Sequence, residues 1–156
     1  MLAVMSDEAH GIRMIDVGGK PVTARTARAS AALRADPQTV ARIQAGDLAK
    51  GDAVATARIA AIMAAKRTSD LIPLCHSLPL DGVDVAVSFP EPGLVLLETA
   101  VRTTARTGVE MEALVAASAA ALTIYDMCKS IDPDMTIEQV RLEEKTGGVH
   151  GDYRRP

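Results

Sequence analysis

Two long segments that are apolar at nearly every position dominate the hydrophobic pattern of the chain. The first runs from Ala53 to Ala65, where only Thr56 and Arg58 are strongly polar, and the second runs from Ala113 to Tyr125. A surface helix carries one apolar stripe, whereas a helix that is apolar around its circumference must be covered on two sides. The pattern therefore predicts two buried helices.

Short polar signals mark the ends of the predicted helices. Asp52 fits the N-cap of the first long helix. The sequence Thr107-Gly108-Val109-Glu110 fits a capping box, so the second long helix should start there and run to about Lys129. Asp36-Pro37 predicts a further, shorter helix with aspartate at the N-cap and proline at the first helical position, ended by Gly46.

Four segments have the character of β-strands. Gly82 to Phe89 alternates valine with small or polar residues, Pro90 to Gly93 forms a turn, and Leu94 to Arg106 is the returning strand of a hairpin. Thr136 to Glu144 alternates in the same way and predicts the last strand. Ile15 to Leu33 predicts an extended segment, although its alanines leave a helix open as an alternative.

The predicted order is strand, short helix, helix, strand, strand, helix, strand. This order gives an α+β fold, a ferredoxin-like antiparallel sheet with helices packed on one face. We expect a single domain over residues 14–146, a flexible N-terminal arm over residues 1–13 and a flexible C-terminal tail over residues 147–156. One such sheet cannot cover two helices that are apolar all round, so we expect a symmetric homo-oligomer.

Composition excludes several classes of function. The 156 residues are 48% hydrophobic and 24% charged, as in an ordinary soluble globular domain. Phe89, Tyr125 and Tyr153 are the only aromatic residues, too few for the stacking platforms that bind single-stranded nucleic acid. The net charge of −3 argues against general nucleic-acid binding, which depends on clustered lysine and arginine.

The same composition predicts a soluble, cytoplasmic protein. Cys75 and Cys128 are far apart and form no C-x-x-C motif, which fits free thiols in a reducing compartment. The apolar run from Met1 to Met5 ends at once in polar residues and does not resemble a secretory signal. The longest apolar stretch is shorter than the roughly 18 residues of a membrane span. We therefore expect neither membrane nor nucleic-acid partners.

Charged residues at the ends of the apolar helices are the candidates for chemistry. Asp126 and Lys129 are three residues apart and share a helical face, where a buried carboxylate and ammonium must pair or shift their pKa values. A solvated ion pair at a helix end fits this spacing equally well, and the apolar helix favours a functional pair. Lys50 and Lys66 bracket the first long helix and Arg25 precedes it, although a surface role is commoner for any single lysine.

The remaining candidates have simple structural explanations. Glu110 would complete the capping box, and Glu112 suits the positive end of a helix. Cys75 and His76 are adjacent, but no second ligand group has zinc spacing, so no metal site is predicted and His76 is better explained as a hydrogen-bonding residue in a pocket wall.

Four separated motifs, in the right order, resemble the MoaC family of molybdenum-cofactor biosynthesis. They are KGDAVATARIAAIMAAKRTSDLIPLCHSLPL, TGVEMEAL, ALTIYDMCK and KTGG, and the resemblance extends from about Met14 to Tyr153. It implies a ferredoxin-like subunit in a homohexamer, a trimer of dimers with active sites at subunit boundaries. It also implies a nucleotide-derived substrate, a cyclised dihydro-GTP, which is converted to cyclic pyranopterin monophosphate with release of pyrophosphate.

The resemblance assigns roles residue by residue. It implies Asp126 as the central acid/base carboxylate, with Lys129 and Lys50 as its catalytic partners. The implied substrate-binding residues are Leu74, Cys75, His76, Met111 and Glu112, and, at less closely matching positions, Glu110, Lys66, Arg25 and Lys145. The chain departs from the family pattern at Ser77, usually proline, and at Val149-His150, usually Lys-Ser. No cofactor is required, although a divalent ion such as Mg²⁺ on the phosphates is compatible.

These roles suggest how the chemistry would proceed. We expect Lys50 or Lys129, with a pKa lowered by cationic neighbours, to donate a proton while Asp126 orients it or accepts a proton. Lys50 and Asp126 could meet across a subunit interface rather than within one chain. A non-catalytic oligomer that binds guanine nucleotides is the alternative, by analogy of fold alone, and a purely structural ring component is a third reading.

Overall fold

The computed structural model describes residues 11–156, so most of the predicted N-terminal arm lies outside the described residues. The strands are β1 (Thr23–Arg34), β2 (Gly82–Ser88), β3 (Leu94–Ala105), β4 (Thr136–Thr146) and β5 (Tyr153–Arg154). The helices are α1 (Pro37–Ala45), α2 (Ala53–Lys66), α3 (Thr68–Leu71) and α4 (Glu110–Cys128).

The five strands form one antiparallel sheet in the order β2-β3-β1-β4-β5. α4 packs on β1 and β3, and the hydroxyl of Thr99 on β3 donates to the carbonyl of Ala113 on α4 at 2.8 Å. α2 packs in turn against α4. This arrangement confirms the predicted α+β class, an open antiparallel sheet with helices as in ferredoxin-like folds.

Two predicted boundaries are wrong for identifiable reasons. β1 begins at Thr23 rather than Ile15, because a turn closed by Lys20 and Val17 precedes it. α4 begins at Glu110 without a side-chain cap, so the capping box does not form. The carboxylate of Glu110 pairs instead with Lys145 of β4, at 3.1 Å.

The predicted flexible tail contains the short strand β5. Tyr153 lies opposite Lys145 and Arg154 lies opposite Glu144 in the ladder with β4. The backbone N–H of Arg155 continues this pairing by donating to the carbonyl of Glu143 at 2.8 Å. The last residues of the chain are therefore attached to the sheet, while flexibility of the tail stays a prediction.

The contact between α2 and α4 is built from small side chains. The buried residues of α2 are Ala53, Ala57, Ala61 and Ala65, which recur every fourth residue on one face of the helix. α4 presents buried alanines in turn, at positions 113, 116, 117, 120 and 121. Because alanine projects only a methyl group, the two helix backbones approach closely.

The outer faces of these helices remain uncovered in the single chain. Ile59 and Met63 of α2 are 60% and 49% exposed, and Leu122 of α4 is 59% exposed. By length and composition alone, α4 could span a membrane, but the core helices of globular proteins share this property. Half of the residues in the apolar part of α4 are buried inside the protein. Within one chain, α4 is covered by the sheet and by α2, whereas α2 is covered on one side and leaves its outer face exposed.

We expect the substitution Ala61→Leu to lower the free energy of unfolding by about 1–3 kcal/mol, because added methylenes cannot fit between close-packed backbones. The same substitution at exposed Ala41 of α1 is the matched control and should change it by less than about 0.5 kcal/mol. Urea denaturation at a fixed protein concentration measures both values. Equal effects at the two positions would contradict close packing of α2 on α4.

Candidate active site

A carboxylate lies between two lysines at the C-terminal end of α4. The carboxylate oxygens of Asp126 are 2.8 Å from the Nζ atom of Lys50 and 2.8 Å from that of Lys129. Lys50 also donates to the backbone carbonyl of Asp126, at 2.8 Å. We call Lys50, Asp126 and Lys129 the lysine–aspartate cluster.

Local structure explains why these three residues meet. Lys129 follows Asp126 by three residues, so both side chains lie on one face of the helix end. Lys50 is held just before α2 by Gly51, whose φ of 100° favours glycine, and by Asp52, which caps α2 by accepting from the N–H of Ala55 at 2.9 Å. The N-terminus of α2 thereby lies beside the C-terminus of α4.

The structure corrects three expectations about this cluster. Lys50 and Asp126 meet within one chain, so their contact requires no interface. The side chains of Asp126 and Lys129 are 56% and 54% exposed, so burial within the chain does not force them together. The pKa of Lys129 is raised rather than lowered, because its nearest charged partner is the carboxylate of Asp126 and not another cation.

Hydrogen bonds from Lys129 and Lys50 lower the pKa of Asp126 to about 2. We therefore expect this carboxyl to remain ionised at every pH above about 3, and to lose its interaction with the lysines only as the pH falls through about 2. Carbon-13 NMR of labelled aspartate measures the midpoint. The substitution Lys129→Ala should move the midpoint upward, and an unchanged midpoint would show that Lys129 does not hold the carboxylate.

A second group of predicted residues lies at the N-terminal end of α4. The Sγ atom of Cys75 lies 3.8 Å from Oε1 of Glu112, whose side chain is buried. Burial raises the pKa of Glu112 and also that of the Cys75 thiol. His76 is half-buried beside this pair, and Leu74 is 46% exposed. Burial of Glu112 shows that it is more than a solvated charge at the helix start.

A third group surrounds a cavity of about 120 Å³ beside the same end of α4. Arg25 is only 7% exposed and donates to the carbonyl of Arg106 at 3.2 Å, while its Nε has no partner among the described residues. Lys145 pairs with Glu110 at 3.1 Å, and both residues line the cavity. We call this cavity the arginine pocket; its lining residues are Lys20, Arg25, Thr26, Thr107, Gly108, Glu110, Lys145, Thr146, Gly148, Val149, His150 and Gly151.

The arginine pocket also contains residues that the sequence did not single out. Lys20 and Thr26 line it together with the predicted Arg25 and Lys145, and so does Thr107, which the sequence indicated only as a helix cap. Only the fold reveals this grouping, because the pocket joins residues 20–26, 107–110 and 145–151, which are separate in sequence. A wider groove of about 400 Å³ on the open face of the sheet contains none of the predicted site residues.

The structure brings the predicted residues together in two places rather than one. Asp126 and Glu110 are sixteen residues apart on α4, which corresponds to about 24 Å of helix. The lysine–aspartate cluster lies at one end of this length, and the other two groups lie at the opposite end. Met111 is half-buried beside Glu112, and Lys66 is exposed at the last residue of α2.

No group of three or more His, Cys, Asp or Glu side chains within residues 11–156 is arranged to hold a metal ion. The cations of the site are lysines and arginines at both ends of α4. Such an arrangement is suited to a substrate with several negative charges, because ammonium and guanidinium groups bind phosphate strongly.

Comparison with known proteins identifies close relatives. The model of the MoaC family matches residues 14–148. A protein of Herpetosiphon aurantiacus named cyclic pyranopterin monophosphate synthase is 55% identical over 100% of this chain and 95% of its own length. Proteins of Streptomyces avermitilis and Mycobacterium tuberculosis with that name, the latter numbered 1, are each 56% identical over 96% of this chain, covering 87% and 88% of their own lengths.

Proposed function

This chain belongs to the MoaC family, and we propose on that premise how its residues carry out the reaction. The chain is an enzyme of molybdenum-cofactor biosynthesis, a lyase that makes cyclic pyranopterin monophosphate. Its substrate is a small nucleotide-derived molecule, which we identify as the cyclised dihydro-GTP. Identity above one half over the whole chain, joined to a carboxylate held by two lysines, supports this conclusion.

The lysine–aspartate cluster supplies positive charge in a fixed position. A raised pKa keeps Lys129 protonated through the neutral range, so Lys129 is suited to stabilising negative charge. Asp126 holds both ammonium groups through hydrogen bonds of 2.8 Å. We assign Asp126 the central role, either orienting the lysines or accepting a proton, with Lys129 and Lys50 as its catalytic partners.

The last step of the reaction releases pyrophosphate. A ribose hydroxyl oxygen bonds to the innermost phosphorus, the bond from that phosphorus to pyrophosphate breaks, and the hydroxyl proton passes to a base in the site. Negative charge builds on the departing pyrophosphate, where ammonium groups in a water-poor site stabilise it. Arg25 and Lys145 of the arginine pocket offer a second pair of cations for phosphate groups.

We propose that each active site combines two subunits of a homohexamer, a trimer of dimers. Within one chain the two ends of α4 are about 24 Å apart, so a substrate that contacts both groups would have to span that length. A neighbouring subunit can instead bring its own lysine–aspartate cluster to the Cys75–Glu112 end. Exposed Ile59, Met63 and Leu122 provide apolar surface for such contacts.

Sedimentation equilibrium tests the assembly. A hexamer requires a mass six times that of the 16.4 kDa chain, and a monomer at micromolar concentration would contradict it. We further propose that the enzyme acts in the cytoplasm, where free Cys75 and Cys128 remain reduced. We also propose that no cofactor is required, with a divalent ion such as Mg²⁺ on the phosphates compatible with the site, and turnover with EDTA or added Mg²⁺ tests this.

The decisive experiment is to incubate the pure protein with the cyclised dihydro-GTP and to measure pyrophosphate and cyclic pyranopterin monophosphate. We expect both products in equal amounts. Tight binding of the nucleotide with no product formed would instead support the alternative function, a guanine-nucleotide-binding regulatory oligomer. A protein that neither binds nor converts this nucleotide would contradict both functions.

A further inference from the structure

The connection between β4 and β5 forms one wall of the arginine pocket. Residues 148 to 151 all line the cavity, and we call residues 147–151 the glycine loop. Glycine occupies positions 147, 148 and 151, and the first and last of these have φ angles of 84° and 82°. Because glycine restrains the backbone least of all residues, the loop's own sequence does not define where this wall lies.

The near end of the glycine loop is fixed beside the pocket. The hydroxyl of Thr23 on β1 donates to the carbonyl of Gly147 at 2.9 Å, and the N–H of Gly147 donates to the carboxylate of Asp152 at 3.1 Å. An added Cβ atom at Gly147 would collide with the carbonyl oxygen of Ala24. The position of the wall therefore depends on how the far end, which leads into β5, is held.

β5 is too short to hold that end by strand pairing alone. It has two residues, Tyr153 and Arg154, and each pairs with one residue of β4 at the edge of the sheet. Strands of globular proteins usually have about five or six residues. A pairing this short, close to the end of the chain and with a neighbour on one side only, has few hydrogen bonds to resist opening.

Arg155, which follows β5, supplies a further attachment. Its backbone N–H donates to the carbonyl of Glu143 at 2.8 Å, and its Nε donates to the carbonyl of Leu142 at 2.8 Å. The same Nε lies 3.8 Å from the carboxylate of Glu143. That carboxylate also accepts from the hydroxyl of Ser30 and from Nε of Arg141. Arg155 is thereby joined to β4 directly and, through Glu143, to β1.

The side chain of Arg155 does not line the arginine pocket. It lines the wider groove on the open face of the sheet, whereas Arg25 and Lys145 line the pocket. An effect of Arg155 on a phosphate group in the pocket, beyond that of its charge at a distance, must therefore pass through the glycine loop. The contacts that attach Arg155 are made within one chain, so they do not depend on what a neighbouring subunit brings to this end of α4.

We propose that Arg155 is a positioning residue for the reaction. It fastens β5 to β4 and so holds the glycine loop as a wall that encloses phosphate groups of the substrate in the arginine pocket. This inference rests on the proposed function, which supplies a substrate with phosphate groups. Without the side chain of Arg155, β5 opens more often and water enters the pocket, so Arg25 and Lys145 attract the phosphates less strongly.

Hydrogen exchange measures the attachment in the full-length protein. We expect the peptide that spans residues 145–156 to exchange its amide hydrogens at least about tenfold faster in Arg155→Ala than in the wild type. Arg154→Ala is the matched control, because it removes the same charge at a neighbouring exposed residue that forms no ion pair within residues 11–156. Wild-type exchange in Arg155→Ala would overturn the inference.

Binding of tripolyphosphate, measured by calorimetry, tests the pocket without turnover. We expect Arg155→Ala to raise the Kd about five- to twentyfold and Arg154→Ala to change it by less than about twofold. Lys145→Ala, which removes a cation of the pocket itself, should raise the Kd about ten- to hundredfold. Unchanged affinity in Arg155→Ala, despite faster exchange, would make the attachment purely structural and overturn the inference. So would an affinity that Lys145→Ala leaves unchanged, because the probe would then bind outside the pocket.

Turnover separates positioning from chemistry. In Arg155→Ala the KM for cyclised dihydro-GTP should rise about five- to twentyfold while kcat stays within about threefold, because the wall contributes to binding before and during the reaction alike. The mass in sedimentation equilibrium should be that of the wild type. A fall in kcat with an unchanged KM, or a change in mass, would assign Arg155 to chemistry or to a subunit contact and would overturn the positioning role.

The two proposals fail in distinguishable ways. If the wild-type protein forms no product from cyclised dihydro-GTP, the proposed function is wrong, and exchange and tripolyphosphate binding still decide the role of Arg155. If the wild-type protein turns over normally while Arg155→Ala matches it in exchange or in affinity, only the inference about Arg155 is wrong.

Discussion

Asp126→Asn should reduce the rate of pyrophosphate release by about 10²–10⁴-fold, the range typical of a lost acid/base group, while the protein still folds. Asparagine keeps the shape of the side chain but carries no charge to hold the ammonium groups of Lys50 and Lys129. Both ammonium groups would then lose their charged partner, and Lys50 would keep only its hydrogen bond to the backbone carbonyl of residue 126. Because Asp126 is more than half exposed, the hydrophobic core does not depend on it.

The measurement is pyrophosphate release at saturating cyclised dihydro-GTP, with circular dichroism to verify the fold. Asp134→Asn is the matched control, since Asp134 is an exposed aspartate in the loop after α4 and forms no ion pair within the described residues. It should retain wild-type turnover. Wild-type turnover by Asp126→Asn itself would remove Asp126 from the mechanism.

Two variants that are each nearly inactive should restore activity when they are mixed. Asp126→Asn damages the lysine–aspartate cluster, and Lys145→Ala damages the arginine pocket at the other end of α4, where loss of a charge-assisted hydrogen bond should cost about 10- to 100-fold. Suppose that each site takes its lysine–aspartate cluster from one subunit and its arginine pocket from another. A pair of one Asp126→Asn chain and one Lys145→Ala chain then contains one site in which both parts are intact. Random mixing should therefore recover about a quarter of wild-type activity.

The experiment unfolds the two variants together, refolds them and measures pyrophosphate release against separately refolded samples. The control mixes Asp126→Asn with Lys129→Ala, which damage the same cluster and should not complement each other. Activity of the Asp126→Asn and Lys145→Ala mixture equal to the average of its components would mean that each chain carries a complete site, contrary to the proposal.

Elements defined by local signals were predictable from the sequence. The helix after Asp36-Pro37 has the expected cap, because the side chain of Asp36 accepts from the N–H of Gln38 at 2.8 Å, and it ends at Gly46 with φ 69°. The β2–β3 hairpin follows from the alternating valines of β2 and the turn at Pro90 to Gly93 that precedes β3. The capping box failed because Lys145, distant in sequence, attracts Glu110, an interaction that no local pattern contains.

The candidate site was predictable only in part. Helical spacing placed Asp126 beside Lys129, but the contact with Lys50 depends on how α2 packs against α4. The expected lowering of the Lys129 pKa was wrong because the carboxylate of Asp126, and not a neighbouring cation, has the largest effect on this ammonium group. Cys75 and Glu112 meet only because the chain returns to the start of α4 after α3, which residue patterns do not reveal.

The length of α4, nineteen residues, fixes the distance between the groups of site residues at its two ends. Adding one helical turn would leave every side chain facing nearly the same way, yet it would move the two ends apart by about 5.4 Å. Insertions in the surface loops would leave this spacing untouched. The number of residues between Glu110 and Asp126 should therefore resist change more strongly than the identity of many residues within it.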